Sequence, residues 1–103
     1  MLIYEIRDTT DDESFYIKGF FATAEEAIEH VSGDDSYQLS DYYDNSDSAT
    51  LEVYEWELGK WEHETGKRIF KISFTRDFVG ESDEDVWKKS IEYPIRDKKT
   101  GEK

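Results

Sequence analysis

Glu55 and Glu57 stand two apart in an apolar-rich stretch. On a strand both carboxylates would share one face, as a glycosidase acid pair does. Such pairs arise from composition alone in a chain with 26 acids among 103 residues. The two histidines, His30 and His63, lie far apart in the chain, whereas a metal site needs more ligands at stricter spacing. His30 also falls near the end of a helical segment, where a cation is favoured in any case. The run Asp44 to Glu55 can be tested as a calcium loop. With Asp44 first, Ser46, Ser48 and Thr50 take the third, fifth and seventh positions and Glu55 the last. Ala49 then occupies the sixth position, where an EF-hand needs Gly, and two carboxylates are missing. Cysteine is absent, which removes thiolate chemistry and disulfides. No Gly-rich phosphate loop, nucleophile elbow or basic nucleic-acid patch is present. The sequence therefore offers no catalytic residue, metal site or cofactor site, and reads as a protein that is not an enzyme.

What it does offer is charge and rings. The formal net charge is −13. Its placement is uneven, with −15 on residues 1–66 and +2 on residues 67–103. Lys outnumbers Arg by nine to four, which argues against a halophilic origin. A strongly negative field disfavours nucleic acid and anionic membranes and favours a basic partner. The segment 34–48 concentrates five Asp and three Tyr. Asp34, Asp35, Asp41, Asp44 and Asp47 are thus the candidate partner-binding acids, with Tyr37, Tyr42 and Tyr43 as aromatic anchors. Among the tryptophans, Trp56 and Trp87 read as core. Trp61, between Lys60 and Glu62, reads as exposed and joins the candidate interface. Duplex DNA carries one charge per roughly 1.7 Å, so fifteen charges correspond to about 25 Å of duplex. A domain of this length has a radius of gyration of about 13 Å, and mimicry of DNA therefore requires most of the acids on one face.

The elements that would hold these residues follow from periodicity. Leu2, Tyr4 and Ile6 alternate with Ile3, Glu5 and Arg7, which predicts a first strand. An acidic turn leads to a second strand, Phe15 to Phe21, hairpin-paired with it. Thr23-Ala24-Glu25-Glu26 is a capping box. Ala24, Ala27, Ile28 and Val31 follow at helical spacing, with Gly33 as a left-handed stop. Residues 34–48 have no clean period and read as an exposed acidic loop with one helical turn near Tyr42. A strand returns from Leu51 to Leu58, where Leu51 and Val53 point opposite to Tyr54, Trp56 and Leu58. Either both faces are covered or a bulge reverses the strand near Val53. Glu64 to Lys67 reads as a turn, and Phe70, Ile72, Phe74 and Phe78 at period two mark the next strand. Ser82 then caps a short helix with acids at its start and Lys88 and Lys89 at its end.

The expected architecture is α+β: an antiparallel sheet of about four to five strands, with one clear and one short helix on one face. Residues 1–95 form a single domain and 96–103 a polar flexible tail. No basic leader precedes an apolar core at the start, and no apolar run approaches the roughly 20 residues needed to cross a bilayer. The expectation is a cytoplasmic, soluble protein.

The stretch Tyr16 to Val31, centred on Gly19-Phe20-Phe21-Ala22-Thr23-Ala24-Glu25-Glu26-Ala27, resembles the opening of many small phage and mobile-element proteins of unknown function. Those begin with a strand pair followed by a helix start of the form GxFxTxEEA. Small acidic phage proteins include DNA mimics that inhibit restriction or CRISPR enzymes, which this chain resembles in size and charge. The resemblance carries over no binding residue. It implies an acidic, non-catalytic interaction protein that occupies a basic surface, such as that of a nucleic-acid-binding enzyme it inhibits. Two other readings stand beside it. One is a small carbohydrate- or ligand-binding module using Trp61 and the loop tyrosines. The other is a structural accessory protein whose charge serves solubility. Neither direct nucleic-acid binding nor a membrane is expected, and the sequence leaves the oligomeric state open.

Overall fold

In the computed structural model, which describes residues 1–11, 13–44, 46–58, 66–78 and 85–93, the alternating segments become strands of one sheet. The strands are β1 (Leu2–Asp8), β2 (Tyr16–Phe21), β3 (Ser48–Glu57), β4 (Lys67–Phe78) and β5 (Asp85–Glu92). They lie in the order β2-β1-β3-β4-β5, every neighbouring pair antiparallel. One helix, α1 (Ala24–Ser32), and a 3-10 turn, Ser36–Leu39, complete the α+β domain.

Register shows which residues meet beneath the helix. Ile6 pairs with Val53 and Val53 with Phe70, while Leu51 pairs with Ile72 and Ala49 with Phe74. These side chains, with Tyr4, Ala27 and Val31, form the buried core. Full burial of an Ile or Phe stabilises by about 1.5–3 kcal/mol each, so three consecutive inward positions on β4 make that strand the backbone of the core. The period-two expectation holds for Phe70, Ile72 and Phe74, while the side chain of Phe78 lies outside the described residues.

Helix α1 starts as its capping box dictates. The Thr23 hydroxyl accepts from the Glu26 amide at 3.1 Å and lies 3.2 Å from the Glu26 carboxylate, to which it can donate. The end differs from expectation. Gly33 has φ −64°, so no left-handed residue stops the helix. The last carbonyls are taken by side chains instead: Ser36 Oγ donates to Val31 and Gly33, and Lys89 Nζ donates to Ser32.

Two further expectations change. β3 does not reverse at Val53, because its pairing with β1 runs unbroken from Leu51 to Glu57. An irregularity does fall there, but the extra residue is Ile69 on β4. Residues 85–92 form a strand where the end of a helix was expected. Tertiary pairing decides this, since an exposed outer edge of β4 is worth more when paired than a short helix matched only to its own dipole. The short helical element lies instead at Ser36–Leu39, ahead of Tyr42. Ser82, the turn at Glu64-Thr65 and the tail 96–103 lie outside the described residues.

Candidate functional site

Among the described residues, 22–47 form the layer over one face of the sheet: α1, the 3-10 turn and the loop that returns to β3. That layer contains eight acids and no Lys or Arg. All eight are exposed: Glu25, Glu26 and Glu29 on α1, then Asp34, Asp35, Asp41, Asp44 and Asp47. Helical spacing turns Ala27 and Val31 inward and therefore the glutamates outward. Two lysines reach in from the outer strands. Lys18 of β2 meets Asp41 at 2.7 Å, and Lys89 of β5 meets Asp34 at 3.0 Å. Exposed pairs of this kind are worth no more than about 1 kcal/mol, and among the described residues they are the Lys or Arg ion pairs that these eight acids make.

The loop is not loose, because its tyrosines turn inward. Tyr37 stacks on Trp87 with ring centroids 4.6 Å apart, and meets Phe74 and Tyr43 edge-on. Arg76 donates to the Tyr43 carbonyl oxygen. Tyr42 packs on Tyr16 and donates to Asp11 Oδ2 at 3.4 Å. Its hydroxyl is pushed up to about 12, first by hydrogen bonding with Tyr16, then by burial and by Asp11. The five loop aspartates and three tyrosines are therefore brought together on one layer, with the carboxylates outward and the rings half-buried. Trp61 and His63 lie outside the described residues.

Asp8 pins this loop to the sheet, a role that the sequence reading missed. It is fully buried. Oδ1 accepts from the Thr10 amide and hydroxyl at 3.1 and 2.6 Å. Oδ2 accepts from Ser40 Oγ and the Asp41 amide at 3.0 and 2.9 Å. Four donors compensate the desolvation of a buried carboxylate. The signal was present in parity: Asp8 continues the inward series Leu2, Tyr4, Ile6.

The opposite face of the sheet carries no helix among the described residues and covers itself. The Arg7 guanidinium lies 4.1 Å from the centre of the Phe15 ring and 4.2 Å from that of Tyr54. It also pairs with Glu5 at 2.9 Å. Trp56 Nε1 donates to the same Glu5 oxygen at 2.8 Å. Glu52 accepts from Tyr54 at 2.8 Å and from Arg68 at 3.1 Å. The Tyr54 hydroxyl is raised by burial and by Glu52. Glu5 and Glu52 are only 3% and 7% exposed although no helix among the described residues covers them. Trp56, expected in the core, belongs to this network.

Between this face and the β1–β2 turn lies an open polar recess of about 610 Å³, lined by Arg7, Asp11, Phe15, Thr50, Glu52 and Lys71 among others. There Arg7 is held by Glu5 and Glu52 by Arg68, and Ser14 Oγ donates to Asp11 Oδ2 at 3.3 Å. Glu55 accepts from Tyr4, and Ser48 to Glu57 is strand, so the Asp44 to Glu55 run is not a calcium loop. Among the described residues no cluster of His, Asp or Glu could hold a metal ion. No helix among them is long and apolar enough to cross a membrane. Comparison with protein-family models, curated proteins and solved structures finds no match.

Proposed function

We propose that this protein is a non-catalytic interaction protein whose helix-and-loop layer engages a basic surface on a partner. The supporting observation is the one-sided charge: residues 22–47 cover one face of the sheet with eight exposed acids and no Lys or Arg. A field of one sign steers a basic partner and repels nucleic acid, giving fast, salt-sensitive association. The finer reading is competition with DNA for a basic nucleic-acid-binding enzyme, because carboxylates on one face can substitute for a line of phosphates.

The test replaces Asp34, Asp35, Asp41, Asp44 and Asp47 together by Asn. Binding to the basic partner, recovered by pull-down at low and high salt, should weaken through a slower on-rate and a shallower salt dependence. Duplex DNA should displace the wild type from that partner. Unchanged affinity and salt slope in the five-fold variant would reduce the layer to a solubilising surface, and failure of DNA to compete would remove mimicry alone.

A further inference from the structure

A second unusual surface lies at the edge of the sheet. Phe15, Tyr16, Ile17 and Phe20 are 47, 45, 52 and 57% exposed, and all lie on or beside β2, the outer strand of the sheet. Four large exposed apolar side chains within six residues of an edge strand mark an interaction surface. Register places them. Ile17 pairs with Arg7 and Phe20 with Glu5, so both stand on the face opposite the helix. Tyr16 and Phe21, opposite Asp8 and Tyr4, stand on the helix side.

Two devices that protect an edge are present here, a lysine and a bulge. The Lys18 ammonium is bound to Asp41 at 2.7 Å. The register shift at Lys18 and Gly19 leaves Tyr16-Ile17 and Phe20-Phe21 extended on either side. Around the strand the charge is negative. Asp11 and Glu13 lie in the turn before it, Asp41 beside its middle, and Glu26 in the capping box just after it.

We propose that β2 is a docking edge for an extended basic segment of the partner, which adds to the sheet as a further strand. Its alternate residues are apolar, over Ile17 and Phe20, and the intervening ones are Lys or Arg, turned toward Asp41 and Glu26. Main-chain hydrogen bonds would supply affinity, and the two faces would supply the alternating pattern. This rests on the reading of a basic partner and adds how that partner is held.

The experiment uses the full chain, isotope-labelled, with a short end-capped peptide of alternating Lys and Val. A second peptide of equal charge is N-methylated at every residue, so that neither of its edges can donate a hydrogen bond to a strand. The first peptide should shift the amides of residues 16–21 and slow their exchange. N-methylation, or Ile17→Thr with Phe20→Thr, should weaken binding by at least about tenfold. Thr keeps both positions β-compatible, and the unliganded amide spectrum confirms that the variant folds. Equal binding of both peptides, with shifts confined to residues 24–47, would overturn the edge while leaving the acidic layer as the binding face. Absence of shifts with either peptide would overturn both. Protection of residues 16–21 without peptide, together with a concentration-dependent doubling of mass, would assign the edge to a second copy and overturn the proposal.

Discussion

The two faces of this sheet are built by different physics. Under α1 the face is aliphatic and aromatic, with Ile6, Leu51, Val53, Phe70, Ile72 and Phe74 essentially without solvent exposure. The opposite face buries charge beneath its own side chains: Arg7 lies between Phe15 and Tyr54, with Glu5 and Trp56 alongside, and Glu52 between Tyr54 and Arg68. A helix can cover apolar residues cheaply because packing is non-directional. A face without one can be closed only if each buried carboxylate is given donors. The helix side keeps its acids outside and so presents a field. The other side spends its charges internally.

The comparison predicts a large loss from either face, by separable routes. Phe74→Ala should cost about 3–5 kcal/mol, enough to unfold a domain this small, and would show as loss of the cooperative melt. Wild-type melting would overturn the assignment of β4 to the core. On the opposite face, Arg7→Ala leaves Glu5 buried without its cation and should cost about 3 kcal/mol. The double change Arg7→Met with Glu5→Leu should recover much of that. If the double variant is no better than the single, the loss comes from ring stacking instead of an orphaned carboxylate.

A Cβ on Gly66 would lie 2.6–2.8 Å from the Trp56 indole. Gly66→Ala should therefore displace that ring from Glu5, cost about 1–3 kcal/mol and change tryptophan fluorescence. Unchanged fluorescence would detach Gly66, the residue before β4, from the network.

Alkaline pH probes both faces. Tyr54 and Tyr4 are raised by burial first, then by Glu52 and Glu55, and Tyr42 is pushed up to about 12, first by hydrogen bonding with Tyr16. A raised folded value favours the protonated form. The contribution is therefore complete below the ordinary tyrosine value of 10.0 and is lost as pH rises toward about 12. Melting temperature should fall across that window, with tyrosinate absorbance rising late. The smallest stability effect is the five-fold Asn change in the loop, below about 0.5 kcal/mol per site, with any gain coming from relieved repulsion.

Much of this was legible before any coordinates. The capping box, the helical spacing of Ala27 and Val31, and the period-two run on β4 rest on local geometry, which the chain carries in its order of residues. The acid-rich, base-free segment is equally a property of order. Its gathering on one layer required the fold, because the crossing of α1 and the loop over the sheet, pinned by Asp8, puts the eight exposed acids in a single layer.

Residues 85–92 were misread for the same reason. Asp85, Lys88 and Lys89 satisfy a helix dipole locally, yet Trp87 finds Tyr37 and Arg76 only when β5 pairs with β4. The loop tyrosines read as exposed because no local period marks them, and their burial depends on partners such as Trp87 and Tyr16, distant in the chain. The order of residues along the chain sets which segments alternate, where the helix begins and which stretch lacks cations. Tertiary structure alone decided how a strand with apolar residues on both sides is covered, because an Arg–aromatic–carboxylate network assembles only once β1, β3 and the turn before β2 meet.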